Sequence, residues 1–233
     1  MQRTRNHGAY FMIILTYLLT VTASLKTLVL VILPIMILHA LTVDLTYSKM
    51  LARKLSKLDL VLMGVNAIPY VFLFRPLLLI PASIFLLSII LSYSKVNVVP
   101  QVLGTLGLSS LLLPWISIVR GISLLDVSVY LIWCSYTLVE ALYVEYKLPF
   151  RKLRARAVKI GWLTSIAINA LFVPFFPPVA LTLIEPSVRF LRPGNKLSSA
   201  TEIKELGKKG SKRTGLLFAL LLIILLIYQF KPL

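Results

Sequence analysis

Two histidines, eight carboxylates and one cysteine are all that this sequence offers for proton, metal or nucleophile chemistry. Their positions matter more than their number. His39 and Asp44 fall toward the end of one long apolar run, and Glu140 and Glu145 toward the end of another. Glu185 lies near the middle of a third run, with Arg189 four residues on and so on the same helix face. Asp126 opens the run that ends at Glu145, with Arg120 just before it across a short turn, which reads as structural interface charge. His7 stands at the mouth of the first run. In such surroundings a carboxylate or imidazole serves as a proton relay, a ligand contact or one half of a neutralised ion pair. Cys134 alone makes neither a disulfide nor a thiolate zinc cluster. The spacings of a phosphate-binding loop, GxxxxGK[ST], of a zinc helix, HExxH, and of a nucleophile elbow, GxSxG, do not occur. The residues imply no metal, and no cofactor.

The elements that must position these groups are apolar helices. Hydrophobic residues make up 58% of the 233 and charged residues 14%, with a mean hydropathy of +0.90. A water-soluble domain of this size cannot bury that much apolar surface, so the composition points to a polytopic membrane protein and away from a soluble enzyme. The pattern predicts an all-α bundle of nine transmembrane helices over about 8–24, 27–47, 60–74, 76–93, 98–119, 124–145, 158–174, 177–191 and 215–230. Arg75-Pro76 and Pro174 to Pro178 divide two longer apolar stretches into hairpins, because proline disfavours helix before it and removes a donor. The first run is read as a span and not as a cleaved leader, since only two residues separate it from the second. Asn66, Gln101 and Asn169 read as interhelical hydrogen-bonding residues, and Gly104 with Gly107 as a point of close helix approach.

The net charge of +17 has a topological reading. With the N-terminus inside, 21 of the 25 Lys and Arg residues fall in inner segments, and only Lys26, Arg75, Arg120 and Lys231 fall outside. That asymmetry favours an N-in, C-out arrangement in the cell membrane, and no nucleic-acid partner is needed to explain the charge. The longest inner segment, 192–214, is expected to be a basic cytoplasmic loop. Its centre, Ser198 to Leu206, has the pattern of a short surface helix, capped by Ser199 or Thr201 and broken by Gly207, Gly210 and Gly215. Its partners are then membrane lipids with anionic headgroups. The same topology brings His7, His39, Asp44, Glu140 and Glu145 to similar depth at the inner face, as candidates to line one cavity open to the cytoplasm.

Two resemblances bear on this architecture. Nine spans with the N-terminus inside are similar to the UbiA prenyltransferases, whose two aspartate-rich motifs hold Mg²⁺ and a diphosphate. The matching positions here, His39 to Asp44 and Glu140 to Glu145, supply one acid and two, so that activity is not carried over. From end to end the chain more closely resembles the YwiC-like integral membrane proteins. Asn6-His7-Gly8-Ala9-Tyr10 is similar to that family's Glu-His-Gly-Ala-Trp opening. The aromatic stretch Tyr136 to Tyr143, followed by Val144-Glu145-Tyr146-Lys147-Leu148, is similar to its aromatic span ending in a Tyr-Val-Arg-type exit. Lys204-Glu205-Leu206-Gly207 resembles the lead into its final helix. The chain departs from the family at Asn6 and at Pro100-Gln101, where relatives carry acids. The resemblance implies a fold and a location, not an activity.

Three functions from different classes fit: a protein holding a lipid or isoprenoid-like molecule, a small transporter built around Glu185, and a membrane assembly or structural factor. Absence of an internal repeat counts against the second. The charge pattern makes one prediction directly. Reporters fused after Leu233 should read external, and reporters within 146–157 internal; an internal reading at Leu233 would overturn the nine-span topology.

Overall fold

The computed structural model describes residues 7–230. The placements expected for Arg3, Arg5, Asn6, the His7 side chain and Lys231 lie outside the described residues. Among those described, every regular element is helical. They are α1 (His7–Ser24), α2 (Ile32–Leu51), α3 (Lys57–Phe72), α4 (Leu79–Tyr93), α5 (Val99–Ser109), α6 (Leu112–Val119), α7 (Leu124–Lys147), α8 (Ala155–Ala170), α9 (Val179–Leu191) and α10 (Ala200–Gln229). Short 3-10 turns at Thr27–Val31 and Pro76–Leu78 lead into α2 and α4. Five stretches are long and apolar enough to cross a membrane: Thr27–Leu51, Pro76–Tyr93, Val99–Val119, Leu124–Lys147 and Ala200–Gln229. The chain is accordingly a membrane-protein-like helical fold. Its apolar surface agrees, with Val65, Ile68, Val71 and Phe72 of α3 all exposed.

The chain forms two compact units, divided between Ile122 and Ser123. In the first, α1 packs on α2, α5 and α6, and α4 packs on α5. Its core joins Ile13 and Tyr17 of α1, Ile32, Ile35 and Val43 of α2, and Leu108, Leu111 and Trp115. In the second, α7 packs on α8, α9 and α10, and α8 on α9. There the rings of Tyr136, Tyr143 and Trp162 surround Phe190 with centroid separations of 6.0, 5.7 and 5.2 Å.

Helix ends follow local chemistry. Ser56, Ser123 and Ser199 each cap a helix, and Asp59, Asp126 and Glu202 three residues later return hydrogen bonds to the cap backbone. Asp126 thus serves as a capping group, accepting from the Ser123 N–H and hydroxyl. Asp59 also pairs with Lys49 at 2.6 Å, and these contacts hold its carboxyl down at about 2. Both proline-marked stretches break where expected. α8 and α9 pack on one another. α3 instead packs on α2 and α4 on α5, so the first pair stays open. The run expected at 98–119 turns at Ser110 and Leu111. Pro114 has no N–H to give to the Ser110 carbonyl, which loosens the helix one turn before it.

The expected loop 192–214 is corrected. Only 192–199 is non-helical, and α10 runs without interruption through Gly207, Gly210 and Gly215. A capping box at its start and a packed apolar half at its end offset the cost of glycine in a helix, about 1 kcal/mol each. Gly210 also lies close to α7, since a Cβ there would lie 3.2 Å from Glu140 Oε1 and the carboxylate would have to give by a few tenths of an ångström. The close approach expected at Gly104 and Gly107 is present: a Cβ on Gly104 would fall 2.7 Å from the Tyr47 ring, and one on Gly107 3.3 Å from Phe85. Two alanine substitutions test this arrangement by thermal unfolding. Gly207→Ala, which meets open space, should stabilise by about 0.5–1 kcal/mol if the residue is helical. Gly104→Ala should destabilise by about 1–3 kcal/mol through the displaced ring.

Candidate functional site

The first unit contains a cavity of about 320 Å³ in the gap that α3 and α4 leave between them. Met63 and Ala67 of α3 and Phe74 just beyond it face Leu79, Ala82 and Phe85 of α4 across it, with Thr42, Val43 and Thr46 of α2 and Gly107, Leu108 and Leu111 closing the wall. The lining is almost entirely apolar and contains no Lys, Arg, Asp or Glu. Its polar feature is a chain of hydrogen bonds rooted in the core. His39 Nδ1 contacts Asn66 Oδ1, His39 Nε2 lies 2.6 Å from the Tyr70 hydroxyl, and the Trp115 indole N–H donates to that hydroxyl at 2.9 Å. An amide oxygen only accepts, so Nδ1 carries the imidazole proton. Nε2 then accepts from Tyr70. The ring also stacks on Trp115 with centroids 6.1 Å apart.

Elementary helix geometry explains why these groups meet. Asn66 and Tyr70 stand one turn apart on α3 and present one polar edge toward α2. His39 is placed differently from the expectation. The helical stretch runs from Thr27 to Leu51, so His39 sits at its middle, about 18 Å from Leu51 at 1.5 Å per residue, and not at the inner end. The cavity lining reaches Phe74 and Leu78 at the α3–α4 turn, the end opposite the basic segment around Lys49 and Arg53. Asp44 is partly buried on α2 and is not among the lining residues.

The second unit holds a buried charge cluster. Arg189 and Glu140 form an ion pair, with side chains only 6% and 14% exposed. The guanidinium also donates to the Tyr136 hydroxyl at 3.1 Å and lies over the rings of Tyr136, Tyr143 and Phe190 at 5.8, 5.1 and 4.3 Å. Glu185, the partner expected from i, i+4 spacing, approaches Arg189 only at 3.6 Å and is half exposed. It lies closer to Arg213 of α10, at 3.3 Å. The sequence pair is therefore real but secondary, because Glu140 on the facing helix is better placed and better desolvated. Glu145 pairs separately with Arg151 at 2.8 Å.

His39 thus belongs to the cavity of the first unit, and Glu140 and Glu145 to ion pairs of the second. Asn66 and Asn169 bond between helices as their type suggested, Asn169 to Ser135 at 3.3 Å. Tyr70 and Trp115 were not singled out by sequence reasoning. The i, i+4 repeat of Asn66 and Tyr70 in an otherwise apolar helix was the available signal. Among the described residues no three His, Cys, Asp or Glu side chains converge as metal ligands. No protein-family model, curated protein or solved structure matches this chain.

The two carboxylates near Arg189 should respond differently to neutralisation. Glu140→Gln leaves the buried guanidinium without its main counter-charge and should cost about 3–5 kcal/mol in unfolding free energy. Glu185→Gln should change it by less than about 1 kcal/mol, as for an exposed pair. Equal losses from the two variants would remove Glu140 from its role as principal partner.

Proposed function

We propose that this chain is a multi-pass protein of the cell membrane, YwiC-like by its motifs, that holds a lipid or isoprenoid-like molecule between α3 and α4. The observation that carries the reading is the cavity: about 320 Å³, apolar over nearly all its wall, with one polar cluster at His39, Asn66 and Tyr70. Such a lining suits a small apolar body with a single polar end, and the volume falls at the lower end of the usual range for ligand sites. The flanking helices expose apolar faces, so a molecule dissolved in the bilayer reaches the gap without crossing water. In this reading the N-terminus is inside and the C-terminus outside, and the basic inner segments lie against anionic headgroups.

A small permease is the second reading, favoured by the ladder Glu140–Arg189–Glu185–Arg213, which leads from a buried carboxylate to a half-exposed one. Proton-coupled uptake into liposomes would select it.

Organic extraction of the purified full chain, followed by lipid mass spectrometry, tests the first reading. A specific apolar molecule should be retained. Ala67→Phe, which fills the cavity from α3, should release most of it while leaving the helical content unchanged. Retention of the same molecules in equal amounts by that variant would overturn the cavity as the binding site.

A further inference from the structure

The hydrogen bonds along the cavity wall specify what kind of polar end it accepts. Each donor can be followed to its acceptor. The His39 Nδ1 proton goes to Asn66 Oδ1, and the Tyr70 hydroxyl proton goes to His39 Nε2. Thr42 spends its hydroxyl on the Leu38 carbonyl at 2.8 Å, and Thr46 spends its own on the Thr42 carbonyl at 2.7 Å. The main-chain N–H groups of the surrounding helices are used within those helices. What remains is the Asn66 side-chain NH2. Its oxygen is bound to His39, and its two N–H groups have no acceptor among the described residues.

A purely hydrocarbon occupant would leave those donors dry and unpaired, which is unfavourable in an apolar cavity. An anionic head would meet no cation, since neither Lys nor Arg lines the wall. Only an uncharged group that accepts hydrogen bonds satisfies both conditions.

We infer that the cavity between α3 and α4 takes a neutral apolar molecule through a carbonyl oxygen of a ketone, quinone or ester, held by the Asn66 side-chain amide, and that it refuses phosphate and carboxylate heads. This rests on the cavity reading proposed above and adds the chemistry of the head. His39, Tyr70 and Trp115 act as positioning residues. By drawing on Asn66 Oδ1, His39 fixes the orientation of the amide and turns its NH2 toward the open volume.

A matched ligand series tests it on the unaltered full chain in detergent: farnesylacetone, farnesol and farnesyl diphosphate, which share one tail and differ in the head. The ketone should bind at least about tenfold more tightly than the diphosphate. Equal or tighter binding of the diphosphate would overturn the inference without any variant. Asn66→Asp then keeps an acceptor for His39 and removes the free donors. Ketone affinity should fall about tenfold relative to the alcohol, because a hydroxyl can donate to the new carboxyl and a ketone cannot. An unchanged ketone-to-alcohol ratio, in a variant whose melting temperature is unaltered, would overturn the role of Asn66. Ala67→Phe separates the two levels. If it abolishes ketone binding while Asn66→Asp leaves the ratio unchanged, the head-group inference falls and the cavity stands. If Ala67→Phe leaves ketone binding intact, the cavity reading falls as well.

Discussion

In an apolar medium every main-chain N–H and C=O must find its partner within the protein, and this constraint governs the whole molecule. It accounts for the nearly continuous helix and for the way polar side chains are spent. Thr16, Thr20, Thr42, Thr46 and Ser165 all return their hydroxyl protons to the carbonyl one turn back. A serine or threonine that does so has no hydroxyl proton left to give to a neighbouring helix or to a ligand. The few polar groups not folded back in this way therefore stand out, and the Asn66 amide is one of them. Helix ends face the same constraint. Arg53 and Lys95 adopt left-handed backbone, with φ of 58° and 63°, to close the ends of α2 and α4. Arg53 donates from its side chain to the Ser92 carbonyl, and the Ser92 hydroxyl donates to the Met50 carbonyl, so the two frayed ends satisfy each other.

Proline and charge made the segmentation readable. Arg75-Pro76 and Pro174 to Pro178 interrupt helix because the ring removes a donor and disfavours helix before it, whereas the lone Pro69 and Pro186 are carried inside α3 and α9. Glycine was harder to read. Gly207 and Gly215 cost helix stability in isolation, but the cap at Ser199 and the packed residues Leu217, Leu221 and Ile224 hold the rod together from both ends. That support is not local, so a reading by neighbours alone places the break in the wrong position.

The same division separates what could be foreseen in the polar clusters. Glu185 and Arg189 are four residues apart and face one another by helical arithmetic. Glu140 reaches Arg189 only because α7 and α9 lie against each other, and nothing in the spacing of 140 and 189 announces this. His39 stood out as a polar residue among apolar ones. Its partners Asn66 and Tyr70 come from the next helix, and Trp115 from much later in the chain. Tyrosine and tryptophan are common at membrane-facing and core positions alike, so their types alone did not mark them.

The length of α10 has one more consequence. Thirty residues of unbroken helix form a rod of about 45 Å, basic along its first half and apolar along its second. Arg213 and Thr214 stand at the join, where they touch Glu185 and Tyr136, the two groups on either side of Arg189. A rigid rod transmits tilt. A displacement of its lysine-bearing half is carried over several helical turns to the buried Arg189 guanidinium, which is held between carboxylates and aromatic rings.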